Sequence, residues 1–186
     1  MKRPLFWPLA VVVLLLVVPA LSVVGEPDLT QRFLLLATKK TSTMQKELSQ
    51  AAAAGYRVLT GSPTSGTEMA IILEKVATPP NTYEYVLIAT TRTSTMEKEL
   101  NESAEKGFRL LPDTMISKPQ MLGGIEIVVL MEKAPGPPKH YQYKLLATTL
   151  TSTMQKEMTQ ATEEGFAVVG MVSRDEHIVI LERPAQ

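Results

Sequence analysis

The chain has 186 residues, 45% of them apolar and 20% charged, with 19 basic against 19 acidic side chains and no cysteine. That profile is globular, and a balanced charge gives nucleic acid no electrostatic foothold. A chain without thiols has no disulfides, no Cys-type zinc site, no thiolate nucleophile and no cysteine-linked lipid.

In chain order, the first predicted element is a leader. Lys2 and Arg3 precede an apolar core from Leu9 to Val18; Pro19 breaks it and small residues follow. This is the layout of a secretory signal peptide over residues 1–25, with cleavage after Ala20, Ser22 or Gly25. The alternative is an uncleaved membrane anchor, because the 22 residues from Pro4 to Gly25 carry no charge. Pro8 and Pro19 leave an unbroken core of only 10 residues, which is signal-peptide length. A secreted or periplasmic protein is therefore expected. Removing Lys2 and Arg3 from the 19 basic residues leaves 17 against 19, a net charge of −2. No other apolar run is as long, so membrane contact is expected only through the leader.

The rest repeats itself. TSTMQKELSQAAAAGY (Thr41 to Tyr56) returns as TSTMEKELNESAEKGF (Thr93 to Phe108) and as TSTMQKEMTQATEEGF (Thr151 to Phe166). Aligned on Gly55, Gly107 and Gly165, each copy is preceded by a short strand pattern: RFLLLAT, YEYVLIATT and YQYKLLATT. A second strand follows each glycine, at YRVLT, FRLLP and FAVVGMV. A third closes each unit, at MAIILEK, IEIVVLMEK and HIVILER, apolar almost throughout like a strand covered on both faces.

Each unit then reads strand, helix, strand, strand: residues 32–76, 83–133 and 141–184, joined by proline-rich linkers at 77–82 and 134–140. The expected fold class is α+β, with three tandem β-α-β-β repeats packed together and one helix per repeat. Units of this size are near the lower limit for burying their own core and should pool their surfaces. A right-handed crossover makes the first two strands of a unit parallel, leaving room for the third between them and antiparallel to both. The sheets would be merged or set around a pseudo-threefold axis.

Within the helix, Ser42, Ser94 and Ser152 are expected as N-caps, with Gln45, Glu97 and Gln155 three residues on completing capping boxes. Met44, Leu48 and Ala51 share one apolar face, as do Met96, Leu100 and Ser103, and Met154, Met158 and Ala161. The glycines end the helices in the left-handed conformation.

The third unit, with YQYKLL from Tyr141, EEGFAVV from Glu163 and HIVILERP from His177, resembles a family of small bacterial domains of unknown function. In that family an aromatic-x-aromatic-Lys strand leads to a helix ending in Gly plus an aromatic, usually Trp, and a hairpin closes on Leu-x-Arg. Here Tyr56, Phe108 and Phe166 stand in place of that Trp, and the first unit's opening strand carries only Phe33. The resemblance implies a strand-helix-strand-strand fold for residues 32 to 184 and no catalytic residues.

Candidate sites follow from chemistry. The helix starts Ser42 and Thr43, Ser94 and Thr95, and Ser152 and Thr153 offer free N–H groups and hydroxyls to a small anion. Thr43 and Lys46 have the spacing of a hydroxyl nucleophile and a lysine base, which makes a hydrolase-type enzyme the alternative to a non-enzymatic binding or structural protein. No orienting third group accompanies them, and no catalytic residue is assigned. The long second hairpin, Pro112 to Gly124, is expected to expose Met115, Ile116, Met121 and Leu122 to a protein partner. Met115 and Met121 are too few for copper(I), and Met44, Met96 and Met154 read as core. His140 and His177 lack ligand spacing. No metal or cofactor is expected; the partner is an unknown protein or small molecule. Tyr83 with Tyr85, and Tyr141 with Tyr143, either form a stacking surface for a glycan or peptide or pack on the neighbouring unit. Packing is the favoured reading, since stacked units need apolar seams.

Overall fold

The computed structural model describes residues 27–76, 83–120 and 123–185. The leader, the 77–82 linker, Met121 and Leu122 lie outside the described residues. The fold is α+β, with three helices and three small antiparallel sheets in three similar units. The first unit holds β1 (Phe33–Thr38), α1 (Thr41–Ala53), β2 (Tyr56–Pro63) and β3 (Met69–Lys75). The second holds β4 (Glu84–Thr90), α2 (Thr93–Glu105), β5 (Arg109–Pro119) and β6 (Ile125–Lys133). The third holds β7 (Tyr141–Thr148), α3 (Thr151–Glu163), β8 (Ala167–Ser173) and β9 (His177–Pro184). In each sheet the last strand lies in the middle, antiparallel to both neighbours: β1-β3-β2, β4-β6-β5 and β7-β9-β8.

The sheets neither merge into one nor meet as a ring. They stack with helices between them. Met44, Leu48 and Ala51 of α1 share one apolar cluster with Leu34, Ile71 and Leu73 of the first sheet and with Tyr85, Val128 and Leu130 of the second. Met96, Leu100 and Ala104 of α2 likewise join Ile88, Val129 and Met131 to Tyr143, Ile178 and Ile180 of the third. The layer order is sheet, α1, sheet, α2, sheet, α3. This explains the apolar third strands: seven consecutive residues of β6, Glu126 to Glu132, are buried, because each face of that sheet meets a helix.

The helix ends show one expectation met and one corrected. Gly55, Gly107 and Gly165 have φ of 88°, 88° and 86°. Phe108 N–H donates to Ser103 O and Phe166 N–H to Ala161 O, both at 3.1 Å, the bond that closes a helix around a left-handed residue. The capping boxes, however, do not form. The N-caps are Lys40, Arg92 and Leu150, in extended conformation and without a side-chain cap bond. Ser42, Ser94 and Ser152 therefore lie inside the first turn, exposed. The entry turns are held one step earlier, where Thr38, Thr90 and Thr148 Oγ1 accept the N–H of those N-cap residues at 3.3, 3.1 and 3.2 Å.

Each second strand carries an irregularity near its start, after Val58 and Val168 in the outer units and one position later, after Leu111, in the middle one. In β5 it is the largest, and Thr114 is buried there, donating to Leu111 O at 2.7 Å and accepting from Leu130 N–H at 3.1 Å. The bend carries the far half of β5 against β2. A Cβ on Gly61 would stand 2.7 Å from Ile71 Cδ1 and 3.3 Å from both Ile116 Cδ1 and the Thr114 Cα. Gly61→Ala is therefore expected to cost about 1–3 kcal/mol through overpacking, read as a lower denaturant midpoint at unchanged slope.

The hairpin expectation is corrected by the same bend. Ile116 is only 1% exposed and belongs to the first apolar cluster. Met115 is half-buried and packs beside Gly170 of β8. Neither is the free surface expected of a partner site, because the extra residues of β5 fold inward over neighbouring strands.

Candidate functional site

The side chains that recur between units converge on two seams. At the first, Gln45 Nε2 of α1 donates to Tyr85 O at 2.9 Å and its Oε1 accepts Leu87 N–H at 2.8 Å. The glutamine expected to cap its own helix instead binds the backbone of the next unit's first strand. At the second seam the task is divided. Asn101 exchanges both bonds with the Tyr143 backbone, at 3.0 and 2.9 Å, and Glu97 Oε2 accepts Leu145 N–H at 2.8 Å.

The tyrosines take the packing role. Tyr85 OH accepts Val58 N–H at 3.0 Å and donates to Glu132 Oε2 at 2.9 Å. Arg57 grips that carboxylate in two places, Nε at 3.1 Å and Nη2 at 2.9 Å, with its guanidinium 5.2 Å from the centre of the Tyr83 ring. The second seam repeats this with Leu110 N–H, Tyr143, Glu182 and Arg109, and Arg109 lies 4.5 Å from the Tyr141 ring centre. Both glutamates are buried and both arginines about half exposed.

Burial raises the Tyr85 and Tyr143 hydroxyls far above the ordinary tyrosine range. The bonds to Glu132 and Glu182 hold the two guanidiniums firmly charged. Tyr56, donating to Gln31 O at 2.5 Å, is also raised by burial. Because the native state keeps these protons while the unfolded chain loses them near pH 10, stability is fully present below pH 10 and falls as pH rises beyond it. In an alkaline absorbance titration, three of the five tyrosines are expected to ionise only together with unfolding.

Between the two arginine–glutamate pairs lies a cleft of about 520 Å³, lined also by Pro135, Pro137, Pro138 and Tyr141. Each arginine uses Nε and Nη2 on its glutamate, and among the described residues the remaining Nη1 has no hydrogen-bond partner. The cleft thus offers two outward guanidinium edges beside an apolar proline wall, suited to an acceptor-bearing ligand in contact with both seams.

The helix starts are served by different clefts. Thr41 and Ser42 line one with Lys39, Lys118 and Glu126; Thr93 and Ser94 line another with Glu97 and Glu157. Ser42, Ser94 and Ser152 are exposed, while Thr43, Thr95 and Thr153 are half-buried. The first of these clefts contains a buried ion pair that the sequence reading missed, Lys118 Nζ to Glu126 Oε2 at 2.9 Å. Pairing the second hairpin in register would have found it, since the two residues face each other across β5 and β6.

His140 Nδ1 lies 3.2 Å from Ala104 O, and His177 Nδ1 lies 3.4 Å from Ser173 Oγ. Among the described residues no group of three His, Asp or Glu side chains is placed to hold a metal, and no helix is long and apolar enough to cross a membrane. Compared with models of protein families, with curated proteins and with solved structures, the chain matches none.

Proposed function

We propose that this is an exported, non-enzymatic protein of the bacterial cell envelope, with a binding or structural role. Its three similar units are tandem copies of one β-α-β-β module, of the kind resembled by the small bacterial domains of unknown function. One observation carries the reading. The polar side chains that recur from unit to unit (Gln45, Tyr85, Arg57 and Glu132, and their counterparts Tyr143, Arg109 and Glu182) are engaged in joining neighbouring units. Repetition then serves assembly, and the cleft between the seams is the place for a ligand. The leader's layout supports export.

A second reading has its own support. Because no side chain caps the three helices, the first-turn N–H groups beside Ser42, Ser94 and Ser152 stay open to a small anion. A thermal-shift screen with phosphate, sulfate, sugar phosphates and glycan fragments tests both. A ligand at about 100 times its dissociation constant adds about 2.7 kcal/mol to stability. Changing Ser42, Ser94 and Ser152 together to alanine is expected to leave stability within about 0.5 kcal/mol. An anion response lost in that variant would establish the helix starts as the site. A response lost instead in Arg57→Gln or Arg109→Gln would place the ligand in the cleft, and no response to any compound would leave only a protein partner or a structural role.

A further inference from the structure

Among the described residues the stack is open at both ends, and its two ends match. The outer face of the first sheet is apolar and, among those residues, uncovered: Phe33 is 52% exposed, Leu35 65% and Ile72 41%. By position relative to the helix starts and in strand register, their counterparts are Tyr85, Leu87 and Leu130, and then Tyr143, Leu145 and Ile180. Every one of those lies against the helix of the preceding unit, with Leu130 and Ile180 fully buried. At the other end, α3 packs on its own sheet through Met154 and Ala161. Its Gln155 is the counterpart of Gln45, within an identical TSTMQKE run, and it is exposed, as is Thr159. Val168 is 49% exposed, whereas its counterparts Val58 and Leu110 are buried beneath the next unit's tyrosine.

We propose that the outer face of the first sheet binds α3 of a second copy of this chain, continuing the internal stack from molecule to molecule. Gln155 of one copy would bind the backbone of Phe33 and Leu35 in the next, as Gln45 binds that of Tyr85 and Leu87. The polar part of the seam is absent from both ends in a matched way. Phe33 has no hydroxyl to satisfy, Ala167 stands at the position of Arg57 and Arg109, and Glu74 is already paired with Arg32 of its own chain at 2.9 Å. The joint therefore strands no charge. It also lacks the charged network of the internal seams, so it is weaker than they are and reversible. Such a contact is heterologous: a surface meets a different surface, and the assembly grows as an open row.

The test uses the chain's lack of cysteine. Two single-cysteine versions of the full chain, Leu35→Cys and Gln155→Cys, both at exposed positions, are purified as the cell processes them, mixed, and treated with a short thiol-to-thiol crosslinker. The expected product joins position 35 of one molecule to position 155 of another, with little 35-to-35 or 155-to-155 product. A predominance of like-to-like products, or none at concentrations where the chain is otherwise soluble, would overturn the proposal; the latter is also what a leader or membrane covering the face would give. A gain-of-function variant gives an independent check. Phe33→Tyr with Ala167→Arg rebuilds the seam pair and is expected to lower the concentration for half-association about tenfold. An unchanged or higher concentration counts against it.

Discussion

Leu100→Ala is expected to lower the unfolding free energy by about 3–5 kcal/mol, the range for emptying a fully buried leucine site that cannot collapse. Leu100 lies on α2 and belongs to the cluster that holds the second and third sheets together. Both walls of the resulting cavity are sheets fixed by their own ladders, so little relaxation is available. Met158 occupies the same position on α3 and is only half-buried, with no further sheet beyond it among the described residues. Met158→Ala should cost about 1 kcal/mol, the transfer term for a partly exposed side chain. Equilibrium denaturation of the two variants tests the layered stack directly. Equal losses would mean that α3 is covered as α2 is.

The second large effect belongs to the seam carboxylate. Glu132→Ala removes the acceptor of the buried Tyr85 hydroxyl and both bonds of Arg57. Breaking a buried pair from one side costs about 3–5 kcal/mol. Arg57 is half exposed and can turn to water, so roughly 2–3 kcal/mol is expected here. In melting temperature that is a fall of about 5–10 °C for a chain of this size. Glu74 is the internal control. It holds the same place in the first unit, where no other described unit covers it, and its pair with the exposed Arg32 is open to solvent. Glu74→Ala should change stability by less than about 0.5 kcal/mol.

Much of this architecture was legible in the residues, and what escaped has a common cause. The helix faces of Met44, Leu48 and Ala51 follow from spacing alone, because a helix repeats every 3.6 residues whatever surrounds it. The central place of each third strand was readable from its unbroken apolar run, and the helix stops from their glycines. Gln45 was misread because its three-residue offset from Ser42 has a local explanation, whereas its partners, Tyr85 and Leu87, lie 40 and 42 residues away. Spacing within one element cannot reveal a bond to another. Ile116 failed similarly: a long hairpin is normally exposed, but Ile116 pairs with Val128 inside β5, and the irregularity after Leu111 turns its side chain into the core. The cleft between the seams was invisible for the same reason, since Arg57 and Arg109 meet Glu132 and Glu182 only once the units are stacked.

Placing the last strand of each unit at the centre of its sheet also sets a timetable. As the chain is made from its N-terminus, β1 and β2 have nothing to bond to until β3 is complete at Lys75, because the two never pair with each other. The same wait recurs to Lys133 and to Pro184. Even a closed first unit lacks its seam until Glu132 has emerged to meet Arg57. Assembly therefore advances in three late steps, each releasing two edge strands from their unpaired state at once. A chain cut short within any third strand would leave both outer strands of that sheet exposed, the condition that invites aggregation.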